Sequence, residues 1–312
     1  MIDTVMRTPA EPTSAPTPPA PRAASRKSHP RHGSALDHES TFSLIFRGYV
    51  PLILATLIIA LPLIWMMLGS LKTSGEVVSR DIVWLPGSPT FDAYLTASQK
   101  VDFPRLFLNS TLVTVVGAGI KVLLALTTAY ALVFVRFPFK RTIFAGILVA
   151  LMVPPQVSLL PNYVLISGLG GANTYWGIIL PGLGTAFGTF LLRQHFLSLP
   201  AEILEAAELD GAGHLRRLVQ IVIPISTPTI ATVSLVTIVN EWNDYIWPLI
   251  ITTDDQMMTL PVGLTLLKNL EGDPSSYPIL MAGAVVVIVP VLIVFTFLQR
   301  YIVAGLTQGA VR

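Results

Sequence analysis

Apolar residues in this chain are grouped in long blocks separated by short polar segments, without the spacing of a half-buried helix or strand. A helix needs about 20 mainly apolar residues to cross a hydrocarbon core of roughly 30 Å. The blocks therefore predict six membrane spans. These are Tyr49–Leu71, Asn109–Val135, Thr142–Ile166, Tyr175–Leu192, Ile221–Ile251 and Ile279–Val303. Because they are rich in Leu and Ala and lack ten-residue alternation, an all-α, polytopic membrane protein is expected and not a β-barrel.

Several of the six predicted spans contain proline. The prolines are Pro154, Pro155 and Pro161 in the third span, Pro181 in the fourth, Pro224, Pro228 and Pro248 in the fifth and Pro290 in the sixth. Proline lacks an amide donor, and membrane helices tolerate it where neighbouring groups satisfy the freed carbonyls. Kinked helices are therefore expected, although packing irregularity is the simpler explanation for any single proline.

The composition excludes a secreted or cytosolic globular enzyme. The chain is 52% hydrophobic and only 12% charged, with a mean hydropathy of +0.67, whereas soluble domains carry about 25% charged residues. It contains no cysteine, which excludes disulfides, a thiol nucleophile and Cys-ligated metals. The five histidines show no ligand spacing, so no metal site and no catalytic residue are expected.

Residues 1 to about 45 form a segment of a different kind, with seven prolines among Ala, Ser and Thr. Such a segment cannot bury a core, and it contains no apolar centre like that of a signal peptide. We expect residues 1–45 to be a disordered cytoplasmic tail and residues 46–312 to be the transmembrane domain.

The distribution of Lys and Arg predicts the orientation. With the N-terminus in the cytoplasm, the inside segments hold fourteen basic residues and the outside segments five. The loops 136–141 and 193–220 favour the same orientation even when the basic residues of the tail are not counted. By the positive-inside rule, both termini are expected in the cytoplasm.

One predicted cytoplasmic loop, residues 193–222, contains a helical sequence of its own. Pro200 suits a first helical turn, and Gly211 and Gly213 can take the left-handed conformation that ends a helix. A second amphipathic stretch begins at Leu215. Small residues make a narrow surface that another protein can approach closely, but an interfacial helix explains the loop equally well. These small residues are Ala206, Ala207 and Gly211.

The same loop resembles a known motif. Glu205-Ala-Ala is followed after three residues by Gly211, and then after nine residues by Ile221-Val-Ile-Pro224. This pattern is similar to the EAA loop of ABC importer permeases, with Ile223 where Leu is usual. Further resemblance to the carbohydrate-uptake branch, in particular its shorter, maltose-type permease, extends from about residue 48 to 312. It includes Pro154-Pro-Gln-Val, Leu192-Arg-Gln-His-Phe, Trp242-Asn-Asp-Tyr-Ile-Trp-Pro248 and Gln299-Arg-Tyr-Ile-Val-Ala-Gly.

The resemblance implies a type I ABC importer permease fold in a bacterial cytoplasmic membrane. It implies a coupling helix that sits on a separate ATPase, with a role for the residues that match the motif. These are Glu205, Ala206, Ala207, Asp210 and Gly211. The chain contains no G-x-x-x-x-G-K-[ST] stretch, so no cofactor is expected in this chain, and ATP and Mg are expected in a partner ATPase dimer. A second, non-identical permease and an extracytoplasmic solute-binding protein are the other implied partners.

A polar cluster in the fifth span is the predicted translocation pathway. It consists of Asn240, Glu241, Trp242, Asn243 and Asp244. Carboxylates and amides bind sugar hydroxyls, and intramembrane carboxylates tend to face a wet cavity. However, sixteen residues after Ile225 correspond to about 24 Å of helix rise, close to the outer interface, where polar residues are ordinary. A structural role is therefore slightly favoured over direct contact with a sugar.

Several other features are ambiguous. Lys121, alone in the second span, can snorkel or pair with a carboxylate such as Glu241, and snorkelling is the commoner outcome. Gly184 and Gly188 suggest close helix packing. The acidic segments 254–255 and 271–273 are expected outside, where they either meet a binding protein or are simply solvated. A secondary transporter and a membrane-bound lipid enzyme are weaker alternatives, and the substrate stays open between a sugar, a glycerol phosphate and a polyol.

Overall fold

The computed structural model describes residues 48–79, 81, 83–268 and 276–309. The predicted tail and the acidic segment 271–273 lie outside these residues. The chain divides into two compact units, residues 1–57 and 58–312. The described part of the first unit, residues 48–57, is the beginning of the first helix. All of the sites described below belong to the second unit.

The described residues form helices and no strand, as the apolar blocks predict. The long helices are α1 (Val50–Gly69), α4 (Phe103–Phe134), α12 (Thr227–Trp242) and α15 (Tyr277–Gly309). The shorter ones are α2 (Ser74–Val78), α3 (Asp92–Lys100), α5 (Lys140–Met152), α6 (Leu159–Gly168), α7 (Tyr175–Ile179), α8 (Ala186–Leu197), α9 (Ala201–Leu209), α10 (His214–Arg217), α11 (Ile223–Ile225), α13 (Ile246–Ile251) and α14 (Leu260–Lys268). Short 3₁₀ turns at Pro155–Ser158, Leu180–Leu183 and Asp255–Met257 and a π-turn at Leu218–Val222 complete the chain.

Three helices are long and apolar enough to cross a membrane unbroken: α1, α4 and the first part of α15, Tyr277–Phe297. Three further spans are bent. Their two arms meet at 91° for Lys140–Met152 with Pro155–Gly168, at 46° for Tyr175–Leu183 with Ala186–Leu197, and at 84° for His214–Ile225 with Thr227–Ile251. Counting each bent pair as one span gives six, which agrees with the number predicted from the sequence.

The bends lie near the prolines of the third, fourth and fifth spans. Helix α5 ends before Pro154, the 3₁₀ turn that contains Pro181 separates α7 from α8, and α12 begins one residue before Pro228. A proline cannot donate to the preceding turn, so a helix tends to end there. Pro290, by contrast, lies within the continuous helix α15, so the kink expected in the sixth span does not break it.

Helix α4 packs against α8 and α12 in a core made close by small residues. Ala125 and Leu192 are fully buried, and Val233 is nearly so. A Cβ atom on Gly188 would lie 3.1 Å from Ala125 Cβ and 3.2 Å from Val233 Cγ1. Gly188 is therefore a packing residue, as predicted. Gly184 has no heavy atom within 4 Å of a Cβ position, so the close-packing role predicted for it is wrong.

A buried amide joins the predicted outer ends of the helices. Asn109 on α4 is fully buried. Its Nδ2 donates to the carbonyl oxygens of Gln256 and Met258, both at 2.8 Å, and its Oδ1 accepts from the Tyr175 hydroxyl at 2.8 Å. One side chain thus bonds to a hydroxyl and two carbonyls, and the Gln256 oxygen also accepts from Arg105 Nε at 3.2 Å.

The segment after α1 is ordered by a carboxylate at the start of α2. Glu76 Oε2 accepts from the Thr73 amide at 3.1 Å, and Glu76 Oε1 accepts from the Gly87 amide at 2.9 Å. The bond from Thr73, the largest influence on this group, together with the one from Gly87, holds the pKa of the Glu76 carboxyl below its ordinary value, against an opposing contribution from desolvation. Glu76 therefore caps α2 and ties it to the following loop.

Candidate functional site

A polar cavity of about 700 Å³ lies beside the bends of the third and fourth spans and beside the break between α12 and α13 in the fifth span. The third and fourth spans contribute residues from their bends, the fifth span contributes residues from the break between α12 and α13, well after its bend at residue 226, and the continuous helix α4 contributes Lys121. The lining residues are Lys121, Pro155, Gln156, Ser158, Leu159, Asn162, Ile178, Pro181, Gly182, Gly184, Asn240, Glu241, Asn243, Asp244, Tyr245, Ile246 and Trp247. Irregular backbone at membrane depth is tolerated where it lines a wet cavity.

The third interruption, between α12 and α13, satisfies its own carbonyls. The backbone amide of Asn243 donates to Val239 O at 3.1 Å, and its side-chain Nδ2 donates to the same oxygen at 2.8 Å. The Asp244 amide donates to Glu241 O at 3.3 Å. Helix α12 can therefore end inside the apolar region, and residues 243–245 follow as a non-helical segment on the cavity.

Lys121 forms an ion pair with Glu241, and the side chains are only 15% and 12% exposed. The favoured prediction, that Lys121 snorkels to the interface, is therefore wrong. Lys121 lies in the middle third of α4, about 27 Å of helix rise from its start and about 20 Å from its end. Through this ion pair, Glu241 lies beside the middle third of α4 and away from the two ends of that helix.

Two glycines that the sequence analysis did not single out make room for this pair. A Cβ atom on Gly117 would lie 2.7 Å from Glu241 Oε2, and one on Gly182 would lie 3.0 Å from Lys121 Nζ. Gly117 precedes Lys121 by four residues and so shares its helix face. The four-residue spacing was the one sequence feature that could have linked Gly117 to Lys121. Gly182 could not be linked to Lys121 in this way, because its position beside Lys121 depends on the fold.

Four of the five predicted pathway residues line the cavity, and Trp242 does not. Asn240, Asn243 and Asp244 are exposed there, and Glu241 is mostly buried in its ion pair. The Trp242 indole is 7% exposed, and its Nε1 donates to Val287 O at 3.0 Å. Trp242 therefore anchors α12 to α15 away from the cavity.

Two other aromatic residues lie at the cavity instead. Tyr245 is 38% exposed. Trp247 is buried, and its Nε1 donates to Gly177 O at 3.2 Å and Ile178 O at 3.0 Å. Tyr245 is thus the aromatic ring available to a ligand, whereas Trp247 ties α13 to α7.

The predicted coupling loop contains two short helices that meet at a glycine corner. Helix α9 ends with the Ala212 amide donating to Ala207 O at 2.9 Å and the Gly211 amide donating to Glu208 O at 3.0 Å. Gly211 has a φ of +75°, as predicted. Gly213, with a φ of −67°, is extended, so its predicted left-handed conformation is wrong. Pro200 precedes α9 as its N-cap instead of lying in the first turn.

Helix α9 presents a mixed surface to solvent. Leu204 and Ala207 are buried against the helix core, whereas Glu205, Ala206, Asp210 and Gly211 are exposed. Ala207 is therefore not on the small-residue surface to which it was assigned. Leu209, which the sequence analysis did not single out, is 90% exposed. The exposed side of α9 thus carries small, acidic and apolar groups.

The glycine corner is braced by polar contacts on its inner side. Arg217 Nη1 lies 3.0 Å from Glu208 Oε2. The His214 ring Nδ1 lies 3.3 Å from the Tyr130 hydroxyl on α4 and 3.3 Å from Arg217 Nη2. Leu204, Leu218 and Val222 pack into the same core as α4 and α8. The loop is thus attached to the helices that support the cavity. Within the described residues, no group of His, Asp or Glu has a geometry that could hold a metal ion.

Comparisons with known proteins agree with this architecture. The family model of binding-protein-dependent transport system inner membrane components matches residues 121–308, which include Lys121, the cavity segments 155–247 and the coupling loop. The sn-glycerol-3-phosphate transport system permease protein UgpE of Brucella suis biovar 1 (strain 1330) is 35% identical over 268 residues, which are 84% of this chain and 95% of that protein.

A second relative and a solved structure extend the similarity. The arabinooligosaccharides transport system permease protein AraQ of Halalkalibacterium halodurans is 33% identical over 254 residues, 80% of this chain and 90% of that protein. A crystal structure of a bacterial ABC transporter involved in the import of the acidic polysaccharide alginate contains a chain that matches with a TM-score of 0.73 and 26% identity. This match covers 85% of the present chain and 98% of the other.

The apolar spans, the glycine-cornered loop and these matches lead to one identification. The chain belongs to the family of binding-protein-dependent transport system inner membrane components, and it is a membrane-spanning permease subunit of an ABC importer.

Proposed function

We propose that this chain moves a carbohydrate into the cytoplasm through the polar cavity, as one permease of an ATP-driven importer. The observation that carries the proposal is the convergence of three interrupted spans on one cavity, with an ion pair in the middle third of a membrane helix. Amides and carboxylates there match the hydroxyl groups of a sugar. Asn240, Glu241, Asn243 and Asp244 are the proposed pathway residues, and Tyr245 supplies an aromatic face.

The names of the relatives support a polyhydroxylated substrate. They concern sn-glycerol 3-phosphate, arabinooligosaccharides and alginate, all of which carry several hydroxyl groups. A cavity of about 700 Å³ falls within the usual range of small-ligand sites, roughly 300–1,000 Å³. An oligosaccharide or a related carbohydrate is the proposed substrate.

The exposed side of α9 is the proposed docking surface for a separate ATPase dimer, which binds ATP and Mg. Glu205, Ala206, Asp210 and Gly211 present small and acidic groups there, and Leu209 presents an apolar anchor. Buried Ala207 supports this surface from beneath. Because Leu204 packs into the core shared by α4 and α8, a displacement of the loop would be transmitted to the helices around the cavity.

The remaining parts of the proposal concern the assembly. A second, non-identical permease would complete the membrane pathway, and an extracytoplasmic solute-binding protein would deliver the sugar. With both termini in the cytoplasm, α9 faces the ATPase, as the distribution of Lys and Arg favours. The host membrane is the bacterial inner membrane.

Crosslinking tests the docking surface directly. A photo-crosslinking amino acid at Leu209, introduced in the native host, should capture a protein that binds ATP and co-purifies with ATPase activity. The same probe at Phe91, which is 69% exposed on the predicted outer side, is the control and should not capture it. Capture of the ATPase from Phe91, or its absence from Leu209, would contradict the proposed orientation and docking surface.

Bulky variants test coupling separately from folding. Ala206→Trp adds volume at an exposed helical position, and Gln99→Trp does the same on α3, outside the loop. In proteoliposomes with the complete complex, Ala206→Trp should abolish ATP-dependent sugar uptake and substrate-stimulated ATP hydrolysis. Gln99→Trp should leave both unchanged. Normal uptake by Ala206→Trp at normal levels of the complex would refute the coupling role.

Gly211 requires a different pair of variants, because its position has open space but a φ of +75°. Asn tolerates this left-handed conformation better than other side chains, whereas Val is strained there. Gly211→Asn should keep the corner folded and place a side chain on the docking surface. A loss of sugar uptake in this variant would therefore indicate impaired docking of the ATPase. Gly211→Val should lose both the corner and uptake. Full activity of both variants would show that the glycine is not needed.

A further inference from the structure

We propose that the cavity of this chain accepts uncharged polyhydroxylated substrates and disfavours anionic ones, such as sugar phosphates and uronates. The inference rests on the proposed function and narrows its substrate class. It depends on the charges that line the cavity and on how the one positive charge is held.

Positive charge in the cavity is fully engaged. Among the described residues that line it, Lys121 alone is basic, and its ammonium group is paired with Glu241. An entering phosphate or carboxylate would have to displace the Glu241 carboxylate to reach this cation. In contrast, sites that recognise phosphates or carboxylates offer Arg or Lys groups free to pair with them.

The two glycines beside the pair leave little room for a rearrangement. Gly117 lies under the Glu241 carboxylate, and Gly182 brings the chain close to the Lys121 ammonium. Backbone therefore approaches the pair from α4 and from the turn before α8. With both partners mostly buried, an anion cannot add to the ammonium as a second partner without displacing the first.

A second carboxylate adds negative charge. Asp244 lines the cavity, is exposed to it, and has no basic side chain within ion-pair distance among the described residues. Lys121 and Glu241 cancel, so the formal charge of the cavity lining is −1. An anionic substrate would approach the Asp244 carboxylate, which has no ion-pair partner of its own, and like charges repel.

The uncharged groups in the cavity are suited to hydroxyls. Four side-chain amides line it, each with a donor end and an acceptor end, and they pair with a hydroxyl group in either direction. They are Gln156, Asn162, Asn240 and Asn243. The half-exposed Tyr245 ring provides the apolar face that a neutral sugar ring can cover.

Two relatives of similar identity to this chain are named for substrates of different charge. UgpE, at 35% identity, is named for a phosphate ester, and AraQ, at 33%, is named for neutral oligosaccharides. By the charge of its cavity, the present chain is suited to a substrate of the neutral kind.

Thiol labelling measures the cavity charge without knowledge of the sugar. The chain contains no cysteine, so Asn240→Cys places the one thiol of this chain in the cavity. In the assembled complex, with any cysteines of the other subunits replaced, the thiol should react with a cationic methanethiosulfonate at least tenfold faster than with an anionic one of similar size. Each rate is divided by the rate at which the same reagent reacts with a free thiol in solution. Leu85→Cys, 69% exposed outside the cavity, is the control and should show a ratio near one.

Variants then assign the preference to the named groups. Adding Asp244→Asn or Glu241→Gln to Asn240→Cys should each lower the cation preference several-fold. Glu241→Asp, which keeps the charge, should preserve it. Asp244→Asn alters an exposed side chain and so keeps the test valid even if Glu241→Gln impairs assembly. Equal normalised rates for the two reagents, or an unchanged ratio in Asp244→Asn, would overturn the inference.

Transport by the complete complex provides the functional measurement. In proteoliposomes, ATP-dependent uptake of galactobiose is compared with that of digalacturonate, and uptake of glycerol with that of sn-glycerol 3-phosphate. In each pair the neutral member should be favoured at least tenfold, and Glu241→Gln should narrow that ratio. Faster uptake of the anionic members would overturn the inference but leave carbohydrate import intact. Uptake of none of the four would count against the proposed function, and the labelling result would still decide the cavity charge.

Discussion

Removing one partner of the Lys121–Glu241 pair should destabilise the protein much more than removing both. In Lys121→Met, the Glu241 carboxylate stays at its place beside Gly117 with no counter-charge. In Glu241→Gln, the Lys121 ammonium group loses its one carboxylate partner. The double variant Lys121→Met with Glu241→Gln leaves no unpaired charge.

The structure sets the size of the effect. Two charges about 4 Å apart attract by about 4 kcal/mol at an effective dielectric constant of 20. Breaking a buried pair by removing one partner costs about 3–5 kcal/mol, whereas replacing both partners is often close to neutral. Because one side of this pair faces a polar cavity, we expect the lower end, about 3 kcal/mol, for each single variant. The double variant should lose about 1 kcal/mol or less.

Thermal unfolding of the purified complex in mild detergent provides the assay. At about 2–4 °C per kcal/mol for a domain of this size, each single variant should lower Tm by about 6–12 °C. The double variant should recover most of that loss. Gln99→Trp, at an exposed position far from the pair in sequence, controls for the effects of substitution and purification. Its Tm should match that of the wild type.

Two results would refute this reasoning. A Lys121→Met variant with wild-type Tm would mean that the ammonium group does not pair with Glu241. Single-variant losses that simply add in the double variant would mean that the two side chains act independently.

Three further predictions follow from the side-chain contacts. Hydrogen bonds lower the pKa of the Glu76 carboxyl. The stabilisation of its segment should therefore be present above the ordinary carboxyl pKa and should be lost as the pH falls through the lowered pKa. Hydrogen exchange of this segment should show the loss, and Glu76→Gln should remove the pH dependence. Asn109→Leu leaves the Met258 carbonyl and the Tyr175 hydroxyl without this partner and should cost roughly 2 kcal/mol, seen as a lower Tm. An unchanged Tm would contradict this network. Trp242→Phe loses one buried hydrogen bond and should lower stability by about 1 kcal/mol without changing substrate affinity. Tyr245→Ala should weaken substrate binding without changing Tm. The reverse pattern would mean that residue 242 makes the aromatic contact with the substrate.

Local chemistry explains most of what could be predicted. The lengths of the apolar blocks predict six spans, because hydrocarbon thickness sets the length of a spanning helix. Proline lies beside all three bends, since a missing amide donor acts within one turn, but Pro62 and Pro290 lie within unbroken helices. The left-handed Gly211 was predictable for the same reason, because a helix end depends on its nearest residues.

Predictions that depended on which side of a helix faces which neighbour were less successful. Gly213 and Gly211 have the same local preference, yet Gly213 is extended because it begins the next helix. Gly184 and Gly188 have the same spacing pattern, but only Gly188 lies against other helices. Trp242 belongs to the predicted polar cluster, and the rotation of α12 turns its ring toward α15.

The sequence by itself determined the membrane environment, the number of spans, the glycine-cornered loop and the family, because each depends on composition or on residues near one another in the chain. Only the tertiary structure decided that Lys121 meets Glu241, 120 residues away, and that three interrupted spans enclose one cavity. Such contacts depend on the rotation, tilt and close approach of helices. Residues such as Gly117 and Gly182 permit that approach, but the sequence around them does not predict it.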